Sequence, residues 1–341
     1  MKSKFLLAPF VGIYWLITAV RNYLYDQQIL RTVKLAVPVI SVGNISAGGT
    51  GKTPVVIRLA KLFVEKNFRV AVVTRGYRRK SRGQLIVSSG NGPQVNATMA
   101  GDEPFLIARR CPEAVVICDA DRVAAGRTAT DQFGCNLILA DDAFQHRRLA
   151  RDYNLCLWDG TLQPQTEYIL PAGKLRESLR NIRRADAILV TRCKGIDRKI
   201  LDYPEFQKFS GIVDCAPVEV TELIEPATQK TMPAEKLAGK KIYTFCGLGN
   251  SAQFFKTVAA LHPQSLHTRS FPDHHRYSRK EFAGIAQSAR DVGCDFIITT
   301  EKDFINLPRQ AASIKNLLLL RVAIPIPLKM QKSILDSLDG T

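Results

Sequence analysis

The sequence predicts an α/β fold, a doubly wound parallel sheet followed by a second, smaller α/β domain. Three observations lead there. First, short apolar runs recur between stretches of helical spacing: Ala36–Val42, Arg69–Thr74, Ala114–Cys118, Asn136–Ala140, Tyr153–Leu157 and Ala187–Thr191. They are nearly continuous in Val, Ile and Leu, as strands buried on both faces of a parallel sheet must be. Second, the pattern stops between Gly211 and Lys240, where prolines and glutamates are spaced through an expected extended linker, bare or with short strands in it, and then resumes. Third, 341 residues exceed one ordinary core and suit two domains.

In the second domain, Lys241–Cys246, Asp295–Thr299 and Leu317–Val322 read as strands and Ser251–Leu261 as a helix. Ser278 and Glu281 form a capping box ahead of a helix running through Asp291. Gly247-Leu-Gly249 is half a dinucleotide fingerprint without its acidic partner, so it reads as a strand-to-helix turn.

Composition narrows the function classes. An excess of Lys and Arg, net charge +17, calls for an anionic partner: nucleic acid, a phosphorylated substrate or acidic lipid. The eight cysteines form no Cys-x-x-Cys pair and several sit in apolar runs. They read as buried hydrophobes in a reducing compartment, with no disulfide and no structural metal expected. Phe5 to Val20 is free of charge, with Lys2 and Lys4 before it and Arg21 after it. As a helix it reaches about 24 Å, short of the roughly 30 Å hydrocarbon core. Two readings stay open: a helix packed on the domain, or one lying in the membrane interface with Tyr14, Trp15 and Tyr23 at headgroup level.

The chemistry starts after the first strand. Gly43-Asn-Ile leads into Ser46-Ala47-Gly48-Gly49-Thr50-Gly51-Lys52-Thr53, and Pro54 opens a helix. Strand, glycine loop, Lys-Thr and helix is the context of a P-loop, so a P-loop NTPase-like sheet binding ATP and Mg²⁺ is expected. Glycines let backbone N–H groups converge on phosphate oxygens, and the helix N-terminus adds partial positive charge. Lys52 reaches the β- and γ-phosphates and the Thr53 hydroxyl ligates Mg²⁺. Ser46 stands where the usual motif has its first Gly, with Gly48 and Gly49 inside the loop as compensation.

An apolar strand runs into Asp141-Asp142, the pattern of an acidic Mg²⁺ ligand at the carboxyl edge of the sheet, without deciding which carboxylate touches the ion. Asp102, in Gly101-Asp-Glu-Pro104, is either a helix cap or a general base for an attacking hydroxyl. His274, in Phe271-Pro-Asp-His-His275, either orients a carboxylate or is a satisfied surface histidine. Arg75-Gly76-Tyr77 follows a strand end and either lines the cleft or belongs to a solvated basic face. A guanine-reading Asn-Lys-x-Asp motif is missing, which disfavours a GTPase switch. No aromatic-rich RNA motif or helicase-like element supports a nucleic-acid partner.

Taken in order, Ser46–Thr53, Thr74-Arg-Gly-Tyr77, Gly101-Asp-Glu-Pro104, Asp141-Asp-Ala-Phe-Gln-His146, Pro171-Ala-Gly173 with Leu175-Arg-Glu177, Phe271-Pro-Asp-His274 and Thr300-Glu-Lys-Asp303 resemble the tetraacyldisaccharide 4'-kinase (lipid A 4'-kinase) family. The resemblance spans most of the chain, to about Leu307; Ala143, Lys174 and Ser178 depart from the family pattern. It implies transfer of the γ-phosphate of ATP to the 4'-hydroxyl of a tetraacyldisaccharide 1-phosphate, an acylated lipid, to form lipid IV A. It also implies Asp102 as base or orienting group, His274 as the group that tunes it, and Lys52, Thr53 and Asp141 or Asp142 for phosphate and Mg²⁺. The N-terminal helix, within residues 1–30, would sit on the cytoplasmic face of the bacterial inner membrane. Residues 31–212 would be the P-loop kinase domain, 213–240 a linker, and 241–341 the smaller domain completing the cleft.

Overall fold

A computed structural model describes residues 8–338; Lys2, Lys4 and the start of the apolar run at Phe5 lie outside them. The chain divides into two compact units. One comprises the described residues up to Val218 together with those from Ile324; the other is Glu219–Ala323.

The first unit is built on eight strands: β1 (Val39–Asn44), β2 (Val70–Thr74), β3 (Leu85–Ser89), β4 (Val115–Cys118), β5 (Leu137–Asp141), β6 (Tyr153–Asp159), β7 (Ala187–Thr191) and β8 (Ile212–Ala216). Their order is β3-β4-β2-β5-β1-β6-β7-β8. β3 pairs antiparallel with β4, and the other pairings are parallel. Every residue of β1, β2, β4, β5, β6 and β7 is buried, which is why those runs are mostly apolar. β1 begins at Val39 rather than Ala36 because Pro38 has no N–H to donate to a ladder. It continues through Gly43, where a Cβ would lie 2.6 Å from the backbone nitrogen of Phe144.

Helices cover both faces. On one, α2 (Lys52–Glu65) and α3 (Asp102–Arg110) bury Val55, Leu59, Phe63, Ile107 and Ala108 against Ile40, Val42, Val72 and Leu139. On the other, α4 (Arg122–Phe133) packs Val123, Ala125 and Ala129 on Val39, Ala71, Val73 and Ile138. Each strand thus sends alternate side chains to opposite cores. Buried cysteines share these cores, and burial pushes the thiols of Cys118 and Cys156 up to about 12.

The N-terminal helix α1 (Ala8–Asp26) turns its polar residues inward: Thr18 and Asn22 are buried, with Tyr14 half-buried one turn before. Phe10, Ile13, Trp15, Leu16, Ile17, Val20 and Tyr23 are exposed. Among the described residues no helix is long and apolar enough to cross a membrane.

The second unit has six strands: β9 (Glu219–Ile224), β10 (Thr231–Met232), β11 (Lys241–Cys246), β12 (Ser265–Ser270), β13 (Phe296–Thr300) and β14 (Leu317–Ala323), ordered β10-β9-β14-β13-β11-β12. β14, β13, β11 and β12 are parallel, and β9 and β10 add antiparallel strands at one edge. Helices α5 (Ser251–Ala259), α6 (Arg279–Asp291) and α7 (Glu301–Ile305) connect them. Ser278 and Glu281 form the capping box of α6.

Two features depart from the expected organisation. Residues 213–240 hold most of β8 and all of β9 and β10 instead of a linker. Pro217, Pro226 and Pro233 punctuate the gaps between these strands rather than interrupting them, and β9 alternates exposed and half-buried positions over 219–222 before its buried end at Leu223 and Ile224. The last helix, α8 (Leu328–Asp336), belongs to the first unit rather than to the smaller one. Met330 and Ile334, four apart on one face of this helix, are buried in that unit's core beside Ile324 and Ile326 of the segment before it.

Candidate active site

β1 is central in its sheet, flanked by β5 and β6, and its carboxyl end runs directly into the glycine loop. Gly48 and Gly51 take φ values of +107° and +86°, left-handed conformations that favour glycine. At Gly51 a Cβ would also meet Ile324 Cδ1 at 2.4 Å. Helix α2 starts on the next residue, Lys52, so its unpaired N–H groups face the loop. Asn44 Nδ2 donates to Thr50 Oγ1 at 2.9 Å, and Thr191 Oγ1 donates to the Thr50 carbonyl at 2.9 Å. Arg192 bonds the Gly49 carbonyl and pairs with Asp159.

A second segment braces the loop from outside. The Ala47 N–H donates to Lys174 O at 2.6 Å and the Arg176 N–H to Ile45 O at 2.8 Å. Glu177, 0% exposed, accepts from Asn22 (2.8 Å), Asn181 (2.9 Å), Arg184 (2.7 Å) and Gln145 (3.0 Å). Burial alone would push its carboxyl up, but Arg184 and these donors outweigh it and hold Glu177 below its ordinary value.

The two adjacent aspartates do different things. Asp142, with φ +48°, faces Lys52 Nζ at 3.5 Å and Arg176 Nη1 at 2.8 Å. Burial pushes it up, and the two cations more than reverse that, leaving it below the ordinary carboxylate range. Asp141, the last residue of β5 and register partner of Val42, is 2% exposed. Thr74 Oγ1 donates to its Oδ2 at 3.1 Å, while Oδ1 is buried with no partner. Burial, then the carboxylates of Glu103 and Asp142, push Asp141 up to about 7. An orphaned, buried carboxylate oxygen at a strand end fits a hard cation, which would supply the missing contact. Ser46 Oγ in the loop is also buried without a partner. Among the described residues no three carboxylates, imidazoles or thiols converge as a metal cage. Mg²⁺ rarely uses such a cage, keeping phosphates and waters instead.

Asp102 opens α3, with Gly101 rather than Asp102 at the cap position, and its side chain is 9% exposed. It therefore lies in the first turn of the helix rather than at its cap position. A Cβ on Gly101 would approach Tyr77 O at 3.0 Å, so the loop after β2 lies beside the start of α3. In the second unit His274 sits in a left-handed turn, φ +59°. Its N–H donates to Gly247 O at 3.2 Å, and Lys302 Nζ lies 3.3 Å from its Nε2 and 3.4 Å from Asp273 Oδ1. Asp303 fixes this turn from below, accepting from the Gly247 N–H (2.7 Å), Tyr277 Oη (2.9 Å) and Thr300 Oγ1 (2.6 Å).

Sequence reasoning gave Lys52, Asp141 and Asp142, which the fold brings to one sheet edge. It missed Arg122, whose side chain is buried at the first turn of α4 and whose charge acts on both Asp141 and Asp142. A cation at a helix N-terminus opposes the helix dipole, and that anomaly was the available signal. It also assigned no role to Arg176, Glu177 or Gln145, whose partners lie far away in sequence.

A glycine loop at the end of a central parallel strand, a lysine at the following helix start and an acid closing the neighbouring strand define a P-loop phosphotransferase. The chain belongs to the tetraacyldisaccharide-1-P 4'-kinase (LpxK) family, whose model matches residues 3–339. It is 38% identical over 315 residues to the tetraacyldisaccharide 4'-kinase of Syntrophus aciditrophicus, covering 89% of this chain and 84% of that protein. The Aquifex aeolicus enzyme of the same name is 37% identical over 301 residues, 88% of this chain and 89% of that one. The crystal structure of "apo" form LpxK from Aquifex aeolicus in complex with ATP superposes with TM-score 0.78 and 34% identity, covering 98% of this chain and 99% of that one.

Proposed function

We propose that this protein transfers the γ-phosphate of ATP to the 4'-hydroxyl of tetraacyldisaccharide 1-phosphate, giving lipid IV A in lipid A biosynthesis. The observation that carries this reading is the pairing of Lys52 with Asp142 beside an unpartnered Asp141 oxygen at the mouth of the glycine loop. The N–H groups of Gly48, Gly49 and Gly51 and the α2 N-terminus at Lys52 and Thr53 bind the nucleotide phosphates, and Lys52 exchanges its contact with Asp142 for the β- and γ-phosphates. Asp141 and the Thr53 hydroxyl would hold Mg²⁺: Arg176 still neutralises Asp142 once Lys52 has moved, whereas Asp141 Oδ1 has no partner. When bound, the ion neutralises charge on the phosphate oxygens.

Asp102 accepts the proton of the 4'-hydroxyl as its oxygen bonds to the γ-phosphorus; the bond from that phosphorus to the β–γ bridging oxygen breaks, and ADP leaves with the electron pair. The exposed apolar face of α1 rests on the cytoplasmic face of the inner membrane, where the acylated substrate lies. The surplus of Lys and Arg suits that anionic surface.

The test is incubation with γ-labelled ATP, Mg²⁺ and the tetraacyldisaccharide 1-phosphate in detergent. Label should enter the lipid with the wild type, and Lys52→Ala and Asp102→Ala should each lose at least about 100-fold in turnover. A folded, ATP-binding wild type that leaves the lipid unlabelled would overturn the assignment. Full turnover by Asp102→Ala would remove Asp102 from proton transfer and keep the reaction.

A further inference from the structure

One backbone segment, Lys174–Glu177, touches the N-terminal helix, the glycine loop and Asp142 at once. The Arg176 carbonyl accepts from Tyr14 Oη of α1 at 2.9 Å. The Arg176 N–H reaches Ile45 O and its guanidinium reaches Asp142 at 2.8 Å. The next residue, Glu177, takes the side chain of Asn22 at 2.8 Å, two helical turns beyond Tyr14. The Lys174 carbonyl receives the Ala47 N–H, and Leu175 pairs with Ser46. A helix that served only as a greasy anchor would need no buried polar contact at this place. Here its inward face is the polar one, and those polar groups end on the segment that braces the phosphate loop.

We propose that Tyr14 and Asn22 are positioning residues of the ATP site, acting through Lys174–Glu177, so that seating the helix on a lipid surface tightens nucleotide binding. This rests on the membrane-facing reading of α1 given above. Free in water, the helix exposes Phe10, Ile13, Leu16, Ile17 and Val20 and is held chiefly along its narrow inner face. Burying the outer face in lipid restrains the whole helix, and through Tyr14 and Asn22 it restrains Arg176 and Glu177. A loop already ordered pays less entropy when the phosphates arrive, which is positive coupling without any change of shape.

The protein is mixed with vesicles of phosphatidylethanolamine containing about one quarter phosphatidylglycerol, an anionic surface that attracts basic proteins. Two readouts are taken: co-sedimentation with the vesicles, and the affinity for a fluorescent, non-hydrolysable ATP analogue with and without them. The wild type should co-sediment, and its analogue affinity should rise at least about threefold, a modest coupling by the usual scale. Tyr14→Phe keeps the apolar face and removes one hydroxyl, so it should co-sediment equally but lose most of the rise; Asn22→Ala should do the same. A wild type that co-sediments without any rise overturns the coupling and leaves the membrane reading standing. Equal rises in wild type, Tyr14→Phe and Asn22→Ala overturn the assigned route. A wild type that stays in the supernatant overturns the membrane reading, and the coupling falls with it.

Discussion

Gly51 carries two constraints at once. Its φ of +86° is left-handed, and a Cβ there would collide with Ile324. Gly51→Ala should cost roughly 2–4 kcal/mol from backbone strain and overpacking together, read as a lower midpoint in urea. Glu177 is a different case, a fully buried carboxylate whose partners include Arg184. Glu177→Ala leaves that cation unpaired and should cost roughly 3–5 kcal/mol. Because the folded protein holds Glu177 below its unfolded value, its contribution is complete above about pH 4.5 and fades as the pH falls through the folded value. His146 adds an earlier acid step. Burial, then the charges of Arg122 and Arg151, lower it to about 4 from the ordinary 6.5. The unfolded chain binds that proton first, so stability falls as pH drops from about 6.5 to 4. His146→Asn should flatten that part of a stability profile measured without ligand.

The elements show what a sequence pattern can and cannot carry. Apolar runs buried on both faces gave β2, β4, β5 and β7 within a residue or so, since nothing but a parallel sheet interior accepts them. β3 was not legible, because an antiparallel edge strand is half exposed and its register slips between Ile86 and Ser88. Short strands within 213–240 were only an alternative to a bare linker, since the prolines mark extended chain and β8 and β10 lie at sheet edges. The capping box of α6 is a local signal and was readable in full. Ser278→Ala should therefore cost about 1 kcal/mol in thermal unfolding, with little change in nucleotide binding. The site divides along the same line. The glycine loop and the aspartate pair are contiguous in sequence, whereas the Glu177 cluster joins Asn22, Gln145, Asn181 and Arg184 across the whole first unit.

For the whole molecule, all of the glycine loop, Asp141, Asp142 and Arg176 belong to the first unit, and the chain returns to that unit through Ile324 after completing the second. The smaller unit is thus spliced into the larger one rather than appended to it. Its two ends are neighbours: Glu219 and Ala323 are register partners in the antiparallel pair β9–β14. A protein in which Glu219–Ala323 is replaced by a turn of two to four residues, a length that ordinarily joins antiparallel strands, should fold and bind an ATP analogue within about tenfold of the full chain while phosphorylating no lipid. An unfolded product would mean that the first unit's core cannot close without the second. The same adjacency makes the smaller unit an exchangeable cassette: a stretch of coding sequence that can be lifted out and replaced at one seam, while the glycine loop, Asp141, Asp142 and Arg176 stay as they are.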